Sequence, residues 1–247
     1  MKTTIEEQQQ LALTQGRDRM DMYTAIHKAL RAMMCDALVA LGRLDHEDDQ
    51  EVVRTSAQLF ELLELCGAHM LHENTFVHEP MQAQAPGSAD AAAHDHEDHA
   101  QHIAQLHHLA GAMVKAPVAL RGPLALALYR TLALFVAENL RHMAHEETHH
   151  SATLWAHFSD EQLHAIHGRI LGSIGPQEMA TTMRWMIPAC NPQERAQTLL
   201  GMRAGAPEPV FMAVLDGVRP HLDHAGWAKL CAALDIAPQP GLTAVAA

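Results

Sequence analysis

The sequence predicts an all-α protein: an antiparallel four-helix bundle followed by a smaller helical C-terminal subdomain. Four long segments repeat apolar residues at helical spacing, with connections of moderate length, as a bundle of four helices requires. Composition agrees with this. Ala, Leu and the 14 Met are helix-tolerant, aromatic residues make up 4%, and runs of β-branched residues are scarce. At 247 residues and 48% hydrophobic content, the chain can enclose one large core and a smaller one.

Residues 1–18 carry weak patterning and are expected to be flexible. The first helix runs from about Arg19 to Gly42, with Tyr23, Leu30, Met34 and Leu41 on its apolar face and His27 within that face. The acidic stretch Asp45 to Asp49 leads into a second helix, which ends near Val77. Its stripe reads Leu59, Leu62, Cys66, His69, Glu73 and Phe76, while His72 and His78 fall off it and read as supporting or surface residues. Glu79 to Asp90 holds two prolines and a Gly-Ser and reads as a linker. A third helix covers about Ala91 to Val114, with Ile103, Leu106, Ala110 and Met113 inward. Extending that face back reaches His99, then His96, with His102 at the margin. Ala116 to Pro123 reads as a loop. The fourth helix follows it to about His150, with a continuation near Trp155, and its stripe includes Leu128, Phe135, His142 and Glu146.

These four helices define a bundle over residues 19–157. Residues 158–237 form the extension, with helices expected at Ser159–Ser173, Pro176–Ala189, Pro192–Ala204, Pro207–Leu222 and Asp223–Leu234. Pro176, Pro192 and Pro207 suit the first helical position. The tail, 238–247, is expected to be disordered.

A formal charge of −12 argues against nucleic acid as a partner. The polar N-terminus lacks an apolar signal region. The apolar run after Pro123, interrupted by Arg130, Glu138 and Arg141, reads as too short and too broken for a membrane span. A cytoplasmic location is the resulting expectation. The cysteines (Cys35, Cys66, Cys190 and Cys231) stand far apart without a CxxC pair, and read as buried reduced thiols. No phosphate loop, nucleophile elbow or Ser/His/Asp pattern is present, so no catalytic residue is assigned.

The chemistry lies in the histidines, 20 in all and clustered. The densest stretch is Glu138 to His150, ENLRHMAHEETHH. There His142 and Glu146 are spaced i, i+4, which puts both on one face of a helix. His69 and Glu73 repeat that spacing on the second helix, again on the apolar face. A buried carboxylate is expensive unless partnered, and a metal ion is a fitting partner. The inward candidates are His27, His69, Glu73, His99, His142 and Glu146, with His96 and His102 as alternatives on the third helix. Imidazole and carboxylate without thiolate suit Fe or Mn, with Zn as an alternative. Two carboxylates can bridge two ions while imidazoles cap them. Tyr23, Glu138 and Glu147 are candidates to support the ligands, and Met34, Met113 and Met143 to line the site.

This order of residues resembles the hemerythrin-like (HHE cation-binding) family, with its H–HxxxE–H–HxxxE ligand pattern. The matching text is AIHKALR around His27, HMLHENTFVH around His69 and Glu73, DHEDHAQHI around His99 and ENLRHMAHEET around His142 and Glu146. The extension also resembles one that accompanies some bacterial members. The resemblance implies a non-haem di-iron site with carboxylate and oxo or hydroxo bridges, and O2 or NO as the small ligand. Oxygen-carrying members have HxxxH on the third helix and an aspartate ligand on the fourth, whereas this chain has Ile103 four after His99, and Glu146. That difference moves the expectation from carrier towards O2 or NO sensing, iron homeostasis or stress protection. A di-iron redox enzyme acting on NO or peroxide, and a His-rich metal-buffering module, are the alternatives.

Overall fold

The computed structural model describes residues 4–6 and 19–237, and every regular element among them is helical. Apart from positions 4–6, the expected flexible N-terminus and disordered tail lie outside the described residues. Contacts divide the chain into two units. One takes Met1–Thr24 and Met33–Ser173, and the other Ala25–Ala32 and Ile174–Ala247.

Helix α1, Thr24–Gly42, contributes residues 25–32 to the second unit and 33–42 to the first. It starts later than Arg19 because Asp21 Oδ1 accepts from the backbone N–H groups of Tyr23 and Thr24, both at 2.9 Å, and ends the preceding extended chain. Arg19 instead ties the entering chain down. Its Nε lies 2.8 Å from Asp160 Oδ1, and its Nη atoms donate to the carbonyls of Trp155 and Phe158.

In the first unit, helix α2 spans Asp49–His72. The Asp48 carboxylate caps it by accepting from Gln50 and Glu51 N–H. The chain then widens into a π turn, Glu73–His78, and continues as α3, Glu79–Gln84. The helix therefore outruns the expected end at Val77 and takes half of the expected linker. Pro80 does not stop it. The wide turn just before Pro80 relieves the clash that a proline ring makes with the carbonyl four residues back. The reversal comes instead near Gly87, whose φ of 86° suits glycine.

Helix α4 spans Asp90–Lys115 and α5 Val118–His145, followed by a second π turn, Glu146–His150, and α6, Ser151–His157. The expected loop to Pro123 is much shorter, since Val118 starts the helix and Pro123 lies inside it. A proline this near the start removes one hydrogen bond close to an end that is weakly held anyway. The unbroken run Val118–His157 is 40 residues, with mean hydropathy 1.3 in its most apolar window. By length and composition alone it is long enough to cross a membrane, contrary to the expectation that it is too short and broken. The core helix of a folded protein meets the same two criteria, and Leu128, Leu132 and Phe135 of this run are buried.

Helix α4 packs on both α2 and α5. Leu59, Leu62, Leu106, Met113, Leu128, Leu132 and Phe135 are buried in this unit, each contributing about 1.5–3 kcal/mol. Tyr23, Val77, Met81, Leu154, Leu163 and Ile166 form a smaller cluster. The unit closes with α7, Asp160–Ser173. Ser159 and Gln162 exchange side-chain and backbone hydrogen bonds at its start, at 3.3 and 2.8 Å.

The second unit holds α8 (Pro176–Ala189), α9 (Pro192–Gly205), α10 (Glu208–Val218), a single 3-10 turn (Arg219–His221) and α11 (His224–Ala233). Pro176 and Pro192 occupy the first helical position as expected. Pro207 precedes α10 instead of opening it, and the helix stops at Val218, short of Leu222, with Pro220 two residues on. Asp223 caps α11 through Gly226 N–H. A Cβ at Gly226 would stand 2.9 Å from that carboxylate and 3.0 Å from Arg195 Nη1, so only glycine fits without a shift. Met183, Ile187, Leu199, Phe211, Leu215, Trp227 and Leu230 form the core. All four cysteines are free; Cys66, Cys190 and Cys231 are buried and Cys35, against expectation, is exposed.

Candidate metal centre

Glu73 and Glu146 are the first residues of the two π turns, and both are buried, at 3% and 0% exposure. Each stands beside the histidine four residues before it. His69 Nε2 is 3.2 Å from Glu73 Oε1, and His142 Nε2 is 3.3 Å from Glu146 Oε2. Helix α4 brings in His96, whose Nε2 lies 3.4 Å from Glu73 Oε2, 4.0 Å from Glu146 Oε1 and 2.9 Å from His142 Nε2. Glu73, His96, His142 and Glu146 thus offer one ligand atom each, all within 4.8 Å of one another. Two nitrogens bound at about 2.1 Å to one ion, at right angles, stand roughly 3 Å apart. The 2.9 Å between His96 and His142 fits that pair.

Two side chains orient these imidazoles from behind. Asn74 Oδ1 lies 2.8 Å from His96 Nδ1, and Asp95 Oδ2 lies 3.2 Å from His142 Nδ1. The hydrogen bond with His142 holds the Asp95 carboxyl below its usual range. An ionised carboxylate only accepts, so His142 Nδ1 donates and Nε2 is the atom turned to the cluster. Burial pushes the His142 imidazole down, but Glu146, Asp95 and Glu73 outweigh burial and lift it to about 10. With no metal ion, the carboxylates are offset by a proton on His142, and a metal ion would take that proton's place.

Of the residues expected from the sequence, the first unit brings His69, Glu73, His142 and Glu146 together. His99 is buried against the His142 and Phe135 rings, at 5.0 and 5.9 Å between centroids, and stands in none of the His/Glu groups. Burial, then the charges of His142 and His96, push it down to about 4. On α4 the grouped residue is His96, the alternative one turn earlier. His102 is half-buried against Glu138, 3.0 Å away. His27 is fully buried on α1, within the segment that counts with the second unit.

Four groups were not among the expected ligands: His78, read as a supporting or surface residue, and His150, both buried, the half-buried Asp95 and the exposed Asn74. His78 Nε2 and His150 Nδ1 stand 4.0 and 3.9 Å from Glu146 Oε1, and the three residues form a second group. The Tyr23 hydroxyl lies 3.2 Å from His150 Nδ1. Burial pushes both imidazoles down, His150 to about 4, and leaves them neutral. Burial, then Glu146, Glu73 and Asp21, push the Tyr23 phenol well above its usual value. His150 was legible, being four residues after Glu146. His78 is five after Glu73, off the face of an α-helix, and only the wider π turn swings it back.

Fold and site together define an all-helical protein with buried imidazole–carboxylate groups that could hold a metal ion. No family model, curated protein or solved structure matches the chain.

Proposed function

We propose that residues 19–157 form a hemerythrin-like antiparallel four-helix bundle that holds two iron ions and binds or senses O2 or NO. The observation that carries this reading is the convergence of two His–Glu pairs with buried carboxylates, from α2 and α5, on an imidazole from α4. The proposed ligands are His27, His69, Glu73, an α4 imidazole, His142 and Glu146. His27 enters on its position in the sequence pattern. On α4 the distances favour His96 over His99. Iron in place of Mn or Zn, and the diatomic ligand, rest on the family resemblance.

The chain's own residues suit this role. Glu73 and Glu146 offset the charge of a cation where water cannot. Asp95 and Asn74 fix the imidazoles so that little reorganisation accompanies binding. Phe135 packs on the His99 ring that touches His142, and Met143 is buried, which keeps bulk water from this side of the cluster. Bound iron would supply reversible one-electron chemistry toward a small ligand.

The test is metal content and optical spectrum of protein purified without added metal or a His-tag. It is reduced without oxygen and then exposed to O2, NO and azide in turn. About two irons per chain, with a spectrum that responds to these ligands, is the expected result. No iron, or variable metal without response, overturns the reading. Turnover of NO or peroxide with a reductant would mark a redox enzyme instead. The exposed His94 and half-exposed His102 favour a second reading, metal buffering. That reading predicts metal retained in Glu73→Gln and Glu146→Gln but lost from His94→Ala/His102→Ala.

A further inference from the structure

We propose that His78, His150 and Glu146 form a further position for a first-row transition-metal ion, beside the Tyr23 hydroxyl. This rests on the reading of the cluster as a metal centre, and adds a position that the sequence pattern does not contain.

The donor set is two imidazoles and one carboxylate, all at most 5% exposed. A ligand atom from each lies within 4.8 Å of the others. Donors held at about 2.1 Å on opposite sides of one ion stand up to roughly 4.2 Å apart. The 4.0 and 3.9 Å separations from Glu146 Oε1 are therefore within reach of one ion. His78 Nε2, the ring atom nearest Glu146 Oε1, has no hydrogen-bond partner among the described residues. A buried imidazole used only for packing leaves that polar atom uncompensated, whereas ligation satisfies it. The Tyr23 hydroxyl, already 3.2 Å from His150 Nδ1, offers a fourth donor beside the group.

The backbone points the same way. Each π turn opens on one of the two glutamates and closes on one of these two histidines: Glu73 to His78, and Glu146 to His150. Such turns are poorer than α-helix and gather at functional sites. Here they bring into the interior the two side chains that the Glu73, His96, His142 and Glu146 group does not use. Glu146 Oε1 faces His96 as well as His78 and His150, so one carboxylate serves both positions.

Cobalt(II) tests this, because it is counted by elemental analysis and its visible absorption reports its donors. The full chain is loaded with Co(II) and freed of excess. The wild type is expected to bind one ion more per chain than His78→Ala/His150→Ala. His96→Ala/His142→Ala is expected to keep an ion that adding His150→Ala removes. Tyr23→Phe is expected to leave the count unchanged and shift the absorption of the ion kept by His96→Ala/His142→Ala. Circular dichroism checks that each variant is folded, and His78→Asn/His150→Gln replaces the alanine pair if it is not. Equal counts in the wild type and the folded His78/His150 variants overturn the inference while leaving the proposed iron centre standing. Loss of every ion from His96→Ala/His142→Ala also overturns it. A wild type that takes up no cobalt overturns both.

Discussion

In the second unit the largest buried side chains are apolar, Phe211 and Trp227 among them, and the charged contacts sit towards the rim, as in Lys28 with Glu194 at 2.6 Å. The first unit buries a comparable apolar set but places Glu73, His78, His96, His99, His142, Glu146 and His150 beneath it. Apart from the buried His27, apolar burial and helix caps close the second interior. The first keeps carboxylates where dispersion cannot compensate them, and they stand among imidazoles with which they could hold a cation. The difference separates residues kept for stability from residues kept at stability's expense, and it can be tested.

The sharpest break comes at Glu146. Glu146→Gln should abolish stoichiometric metal binding, and should also lower the melting temperature of the metal-free protein, because it strips the protonated His142 of its main partner. Elemental analysis and calorimetry of the same samples check both. A folded variant that keeps stoichiometric metal would falsify the contrast. Next comes chelation. Metal bound at 100 times its Kd stabilises by about 2.7 kcal/mol, and removing it should speed amide exchange at residues 73–78 and 146–150. Amides of α8 to α11 should be unaffected in hydrogen-exchange mass spectrometry. Metal uptake should also release protons and weaken as pH falls, because His142, lifted to about 10 by its neighbours, must give up its proton to ligate. Titration calorimetry in buffers of different ionisation heat reads that release.

A smaller effect is expected at Asp95, which touches His142 from outside the cluster. Asp95→Asn should weaken metal binding about 10- to 100-fold with the fold intact, read by competition with a chelating dye. The smallest belongs to the second unit. Burial raises the Glu194 carboxyl, but Lys28 and the Asn191 N–H outweigh it and hold the carboxyl below 4.5. A depressed carboxyl stabilises above its unfolded pKa and loses that contribution as pH falls through its folded one. Glu194→Gln should therefore cost about 0–1 kcal/mol at neutral pH and nothing once both states are protonated. Melting curves from pH 7 down to pH 3 check the trend.

Much of this was readable beforehand. The apolar stripes of the four long helices, the His–Glu spacing on α2 and α5, and Pro176 and Pro192 at helix starts are local patterns, and local patterns survive folding. Pro80 and Pro123 misled because each was read as a boundary, and neither neighbouring context stops a helix. His78 was hidden by a change of helical pitch, which depends on backbone hydrogen bonding and has no residue signature. Asp95 and Asn74 look like ordinary surface residues until the facing helix supplies the imidazole each one holds.

The two wide turns bear on how chains of this kind should be aligned. A relative one residue shorter between Glu73 and His78 could keep every side chain named here and run as an unbroken α-helix. Its residues beyond the gap would be rotated by about 100°, carrying the histidine out of the interior. Spacing, counted to the single residue, is therefore the trait to follow from chain to chain. A one-residue deletion there would register as a gain in helix quality and a loss of a ligand.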